Sequence, residues 1–349
     1  MIEPSVRTEP SARSARLRSY FQFVAAVFYF FFARYLAGRA AITYSVLWSP
    51  LVEQVTLAFL LLLGYAAMGF WWARQDRPIN QQGFPRREGW LGEVGLGLAN
   101  GWAIALVCIL PMALAGGIAI SFTAGLHDWY WLLADAAFFA AATLAEEIAF
   151  RGYGFQRFMD AVGPVGATLG FAAFYALVQA LTPGSTHASF AVSIALTVLL
   201  STAYIRTRAL WVSWALNFGW KASRALLFGL AVNGVSSHSP IIQGDPMGPF
   251  WLTGGGFGLD GTWIAFFVLL LAIPVLYKAT SDLDYRYNAP VLIPGGIPVD
   301  LDAAARAQHD AAMGPAAPPT TASLVQIAPI ATPPPAAASE PSQTPDPSQ

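Results

Sequence analysis

Long apolar runs, interrupted by short polar or Arg-bearing stretches, dominate the chain up to about residue 280. A helix needs about 20 mostly apolar residues to cross a bilayer. Runs of that kind fall at 20–45, 50–72, 94–122, 131–150, 164–182, 189–205, 210–232 and 262–277. The pattern predicts an all-α, polytopic membrane helical bundle of about eight spans. The first run is the least regular. It is heavy in Phe and Tyr, and Arg34 and Arg39 follow it. Arg7, Arg13, Arg16 and Arg18 precede it, as in a signal peptide. We read it as an uncleaved first span or a re-entrant helix. Gly-rich stretches such as Gly95 to Gly101 suit close helix contact in a bilayer.

The positive charges test this layout. With eight spans and the N-terminus inside, the loop 73–93 is cytoplasmic and carries Arg74, Arg77, Arg86 and Arg87. Arg157, Arg206, Arg208 and Lys278 fall on the same side. The opposite loops, near 123–130, 183–188 and 233–261, hold no Lys or Arg. Both termini are therefore expected in the cytoplasm, with a bacterial inner (plasma) membrane as the setting. Arg39 is the one exception. The domain reading is a basic segment at 1–18, N-terminal membrane helices at 19–125, a core at 130–277, and a tail at 280–349. From Pro315 that tail is almost all Pro, Ala, Thr, Ser and Gln, a composition expected to be disordered.

Composition agrees. Of 349 residues, 56% are hydrophobic and 11% charged, where soluble domains carry about 25% charged residues. The net charge of −1 gives no reason to expect nucleic acid as a partner. Membrane lipid is the expected surrounding partner. The single cysteine, Cys108, excludes an intrachain disulfide and a Cys-based metal cluster, and reads as packing. Trp71, Trp72, Trp90, Trp129 and Trp131 fall at span ends as an interface belt. Arg86, Arg87 and the N-terminal arginines are read as topology determinants, with contact to anionic lipid as the alternative.

The chemistry concentrates in Leu144-Ala145-Glu146-Glu147-Ile148-Ala149-Phe150-Arg151-Gly152. Carboxylates at bilayer depth cost roughly 2.5–3.5 kcal/mol each on insertion scales, which makes them functional candidates. On a helix Glu147 and Arg151 share a face, while Glu146 points about 100° away. One carboxylate can then be held by Arg151 while the other faces an internal cavity and does general-base work. An ion pair buried for packing is the alternative. Asp135, about three turns earlier, reads as a polar contact to another helix or part of a wet cavity.

Glu146-Glu147-x-x-x-Arg151 resembles the signature of the CPBP intramembrane proteases. These include type II CAAX prenyl endopeptidases and bacteriocin-processing, immunity or lysostaphin-resistance-like proteins. Tyr175-Ala-Leu-Val-Gln179-Ala-Leu-Thr-Pro183-Gly184 resembles the second motif, Phe-x-x-x-His before a Pro-Gly turn. Trp211-Val-Ser-Trp-Ala-Leu-Asn217-Phe-Gly-Trp220-Lys221 resembles the third, a Leu-Trp helix with His-x-x-x-Asn. Phe228 to Gly234 and Leu252 to Gly261 resemble loops of a bacterial subgroup. The resemblance covers residues 130–277 and implies a fold that hydrolyses peptide bonds near the cytoplasmic membrane face, in membrane-associated peptides or prenylated proteins.

The resemblance also implies roles: the first Glu activates a water, two His complete the site, and an Asn stabilises the oxyanion. Glu146, Glu147 and Arg151 are present. The His positions hold Gln179 and Asn217, and the oxyanion position holds Lys221. Aligning on Phe174 rather than Pro183 would substitute Val178 for Gln179, which is no histidine either. Amides hydrogen-bond a water but do not shuttle its proton near neutral pH. The zinc that the resemblance would allow is left with an incomplete ligand set. Lys221 is either an oxyanion donor or a partner that quenches the Glu pair; we expect the second. His127, His187 and His238 fall in loops away from the positive side, and His309 in the tail. Three functions stand at this point: an active glutamate-dependent endopeptidase, a pseudoprotease that binds peptides or membrane proteins, and a small proton-coupled transporter.

Overall fold

The computed structural model describes residues 12–123, 125, 128–239 and 241–283. Arg7, His127, His309 and the tail from 284 onward lie outside the described residues. Ten helices occur in the order α1 (Ala12–Ala41), α2 (Ser49–Trp71), α3 (Pro78–Gln81), α4 (Trp90–Leu114), α5 (Asp128–Arg151), α6 (Tyr153–Ala180), α7 (His187–Thr207), α8 (Leu210–Ala222), α9 (Phe250–Thr253) and α10 (Trp263–Ala279). The protein is an all-α membrane bundle. Among the described residues five helical stretches are long and apolar enough to cross a membrane, one of which, Asp128–Ala180, comprises α5 and α6 together; α10 is a shorter apolar helix.

Two expected spans are corrected. The run 94–122 does not continue as one helix: α4 ends at Leu114, and Ile118–Phe122 forms strand β1, paired antiparallel with β2 (Ile242–Pro246). Gly116 at φ +67° turns the chain in a conformation that glycine adopts without a Cβ penalty, and the β-branched Ile118 and Ile120 then favour a strand. The run 210–232 is likewise not a full helix. α8 has 13 residues and passes into one turn of π-helix at Ser223–Leu227. Beyond it, Gly229 (φ +63°) packs its backbone against Gln243 and Gly244. The first run is a continuous 30-residue helix, α1, which packs on α2 and α6.

α6 bends at Gly163 (φ 84°, ψ 165°), after which Pro164 restarts the helix. Proline suits a first helical position because its missing N–H would lack a partner there anyway. The expected span from 164 starts at this break, and the helical segment before it was not foreseen.

Two large apolar clusters, with a smaller one around Phe139, Ala222, Ala225 and Val232, occur among the described residues. One joins α4, α7, α8 and α10 through Ile104, Cys108, Leu199, Leu216, Trp220 and Leu269. The other joins α1, α2, α5 and α6 through Ala33, Leu61, Tyr65, Ile148, Phe155 and Ala167. In the first, α4 and α8 touch backbone to backbone. A Cβ on Gly97 would strike the Val212 carbonyl oxygen, and one on Gly101 the Leu216 carbonyl oxygen. Gly97 and Gly101 are one helical turn apart, the small-residue spacing that lets membrane helices approach closely. Gly95 meets nothing within 4 Å and takes no part.

The Arg-bearing loop is tied down as well. Arg87 donates from Nε (2.9 Å) and Nη2 (2.8 Å) to the two carboxylate oxygens of Glu93, and from Nη2 to the Thr207 carbonyl at 2.7 Å. Glu93 is buried. Arg87 is therefore a clamp between this loop and the end of α7, which the topology reading alone had not assigned. Arg18 donates to the Trp72 carbonyl at 2.5 Å and so joins α1 to the end of α2.

Candidate functional site

The last two turns of α5 carry the acidic pair, and the periodicity separates the two carboxylates as expected. Glu147 is fully buried and accepts from Arg151 Nη1 at 2.9 Å, four residues on along the same helix. Arg151 also reaches the Thr197 carbonyl of α7 at 3.4 Å. Glu146 turns away toward α8, with 31% of its side chain exposed. Lys221 Nζ donates to both its oxygens, at 2.7 Å to Oε1 and 2.5 Å to Oε2. Asn217, one turn before Lys221, bridges the pair: its Nδ2 donates at 3.0 Å to Glu146 Oε2 and at 3.0 Å to Glu147 Oε1.

Glu146 opens on a cleft of about 410 Å³ whose polar side chains are Arg34, Gln54, Glu146, Tyr175, Gln179, Lys221 and Asn233. Gln179 is buried, and its Nε2 has no hydrogen-bond partner. Of the two alignments for the second motif, the one anchored on Pro183 brings this buried amide to the cleft; Val178, its neighbour, also lines the wall and is more exposed. Thus Glu146, Gln179, Asn217 and Lys221 converge, and Glu147 and Arg151 lie directly behind them.

A second, almost wholly apolar groove of about 410 Å³ lies among α1, α5 and α6, walled by rings such as Phe23, Phe28, Phe158 and Phe171. It shares the wall residues Phe30, Phe31, Ala149, Phe150 and Phe174 with the cleft, so the two are neighbours.

Neither described histidine, His187 or His238, reaches the site. His187 is the first residue of α7, not a loop residue, and it is exposed. His238 belongs to the loop after α8 and is engaged with Asp135: its Nδ1 lies 2.9 Å from Asp135 Oδ1, and the backbone N–H groups of His238 and Ser239 donate to Oδ2 at 2.7 and 2.8 Å. Asp135 therefore fastens a loop rather than a neighbouring helix.

Behind the cleft lies a charge pair that the residue pattern did not suggest. Arg224, fully buried on the π-helical turn, places Nη1 2.9 Å from Asp260 Oδ2, stacks over the Trp220 ring at 3.9 Å and donates Nε to the Trp220 carbonyl at 2.8 Å. Asp260 Oδ2 also accepts from the backbone N–H of Asn233 at 3.3 Å. Asn233-Gly234 is a two-residue turn with both φ values positive (50° and 80°), closed by reciprocal Val232–Val235 hydrogen bonds of 2.9 and 3.0 Å. An Asn-Gly dipeptide between two valines is a strong hairpin signal, and it could have flagged this element in advance.

The donor set does not fit zinc. The groups at Glu146 are an ammonium and an amide, with a second amide in the same cleft. Zinc takes imidazole, thiolate or carboxylate ligands. Among the described residues no three His, Cys, Asp or Glu side chains come together in a way that could hold a metal ion.

Fold and site together define a helical membrane bundle with an acidic pair at a polar cleft. More narrowly, residues 127–223, which span α5 to the end of α8, match the family model described as type II CAAX prenyl endopeptidase Rce1-like. That matched segment holds Glu146, Glu147, Arg151, Gln179, Asn217 and Lys221. Neither a curated protein nor a solved structure matches the chain.

Proposed function

We propose that this Rce1-like fold binds membrane-associated peptide segments in the Glu146 cleft without hydrolysing them. The observation that carries the reading is the double hydrogen bond from Lys221 to Glu146. A base works through a lone pair that reaches the proton of its water. Here the Lys221 ammonium holds both carboxylate oxygens and Asn217 holds one of them, so three of the roughly four acceptor positions are already taken. Among the described residues no imidazole lines the cleft to relay the proton, and Gln179 and Asn217 lack the titratable nitrogen such a relay needs. What survives is a cleft with amide, ammonium and carboxylate groups suited to the polar backbone of a peptide, beside aromatic walls suited to its apolar side chains.

A second reading is favoured by the partial exposure of Glu146 on the same cleft as Lys221. In it Lys221 moves onto the substrate carbonyl as an oxyanion donor, and Glu146 activates a water for slow hydrolysis. The arginine distribution supports cytoplasmic termini, and a bacterial plasma membrane is the proposed setting.

A cleavage assay in proteoliposomes separates the two. It compares the wild type, Glu146→Gln, and the double substitution Gln179→His with Asn217→His. Wild-type turnover equal to the Glu146→Gln background supports binding without hydrolysis. Wild-type turnover well above that background overturns it.

A further inference from the structure

Arg34 is the one charge on the Glu146 cleft whose hydrogen-bonding capacity is unused among the described residues. It lies on α1, 16 residues beyond Arg18 and so about 24 Å along the helix axis. That is within the roughly 30 Å of hydrocarbon that a span crosses. An arginine at such depth is costly, and it marks a functional position facing a cavity or a charged partner. The cavity is the cleft itself, which Arg34 lines together with Glu146 and Lys221.

The charged partner is incomplete. Glu53 of α2 approaches to 3.7 Å, and no hydrogen bond joins it to Arg34. By contrast, Arg87–Glu93 and Arg151–Glu147 close to 2.8 and 2.9 Å with hydrogen bonds. A pair kept only to pack α1 on α2 should close as those do. Instead 55% of the Arg34 side chain and 28% of the Glu53 side chain stay exposed. The charges along the cleft do not balance either. Arg34 and Lys221 are cations, Glu146 is the single carboxylate among its lining residues, and Lys221 already holds it. One positive charge is left over, carried by a planar guanidinium whose parallel N–H groups match a carboxylate in two bonds at once.

We propose that Arg34 clasps a carboxylate of the peptide segment lying in the cleft, with Glu53 as the internal competitor that the ligand displaces. The assignment rests on the peptide-binding reading above and names its preferred substrate class, a segment bearing a negative charge. The Glu146–Lys221 pair, internally neutral, lines the same cleft without setting this preference.

The test uses the full chain in phosphatidylcholine nanodiscs and three peptides of one apolar Val/Ala/Leu sequence, each with an uncharged N-terminal fluorophore. One is amidated and neutral, one is amidated with a central Glu, and one has a free C-terminal carboxylate. An acidic probe is expected to bind wild type about three- to tenfold more tightly than the neutral one. Which acidic probe gains tells whether the carboxylate belongs to a side chain or to the chain end. Arg34→Met is expected to erase the gain and Arg34→Lys to keep part of it. Glu53→Gln is expected to act in the opposite direction, tightening the acidic probe about two- to fivefold and leaving the neutral one unchanged. A mere packing pair would give losses of the same sign from both substitutions, whatever the charge of the probe. If thermal unfolding shows Arg34→Met to be misfolded, the sign of the Glu53→Gln effect decides. Equal binding of all three probes, or a gain that Arg34→Met retains, overturns the assignment while leaving peptide binding intact. A gain abolished by adding phosphatidylglycerol to the discs gives Arg34 to a lipid phosphate and overturns it too. A wild type that binds none of the probes overturns the peptide-binding reading together with it.

Discussion

Lys221 and Glu146 sit 75 residues apart on α8 and α5, yet the ammonium of one lies within hydrogen-bond distance of both carboxylate oxygens of the other. The pair is intermediate in exposure, with Lys221 at 6% and Glu146 at 31%. Its worth therefore falls between that of a surface pair and a buried one. Lys221→Met is expected to lower stability by about 1–3 kcal/mol, less than a fully buried ion would lose because water and Asn217 still reach Glu146. Unfolding in mild detergent measures this, and a loss above that of Arg151→Gln would contradict the ordering.

The Glu147–Arg151 pair is the buried extreme, at 0% and 4% exposure. Removing one partner leaves an uncompensated charge, so Arg151→Gln alone is expected to cost about 3–5 kcal/mol. The double variant Glu147→Gln with Arg151→Gln leaves two neutral amides and should recover a large part of that loss. A double variant that is additive, losing the sum of the two single substitutions, would show that the pair is not coupled.

The close approach of α4 and α8 predicts a size threshold at Gly101. A side chain there meets the Leu216 carbonyl and the Trp220 backbone nitrogen, neither of which can turn aside. Gly101→Val is expected to destabilise by at least about 1–3 kcal/mol, the usual cost of overpacking. Gly95→Val, where nothing lies within 4 Å, should be close to neutral. Parallel thermal unfolding of the two variants checks the contrast.

Asp135 gathers two backbone N–H groups and one imidazole from residues 238 and 239. Asp135→Leu strips all three, and the loop should open locally before the bundle does. Faster hydrogen exchange at His238 and Ser239, with α4 and α8 unchanged, is the expected result. Uniform acceleration across the bundle would instead mean that Asp135 supports the global fold.

How much of this could be read from residues alone depended on whether the cause was local. The i to i+4 spacing of Glu147 and Arg151 is a property of one helix, and so it was legible. The arrival of Gln179, Asn217 and Lys221 at Glu146 required three helices, and only the motif resemblance suggested it. The strand at Ile118–Phe122 was hidden because an apolar run reads alike as strand or span, and only the Gly116-Gly117 pair after α4 marks the break. Arg224 and Asp260 lie 36 residues apart with no periodic relation. Nothing short of the packed structure brings those two together.

The shared wall of Phe30, Phe31, Ala149, Phe150 and Phe174 sets an apolar, ring-lined groove beside the polar cleft of Glu146. A visitor that used this groove to reach Glu146 would have shed its hydration before it met the polar groups of the cleft. Discrimination among visitors along that path would then begin with fluidity and girth in the bilayer, before any hydrogen bond is made.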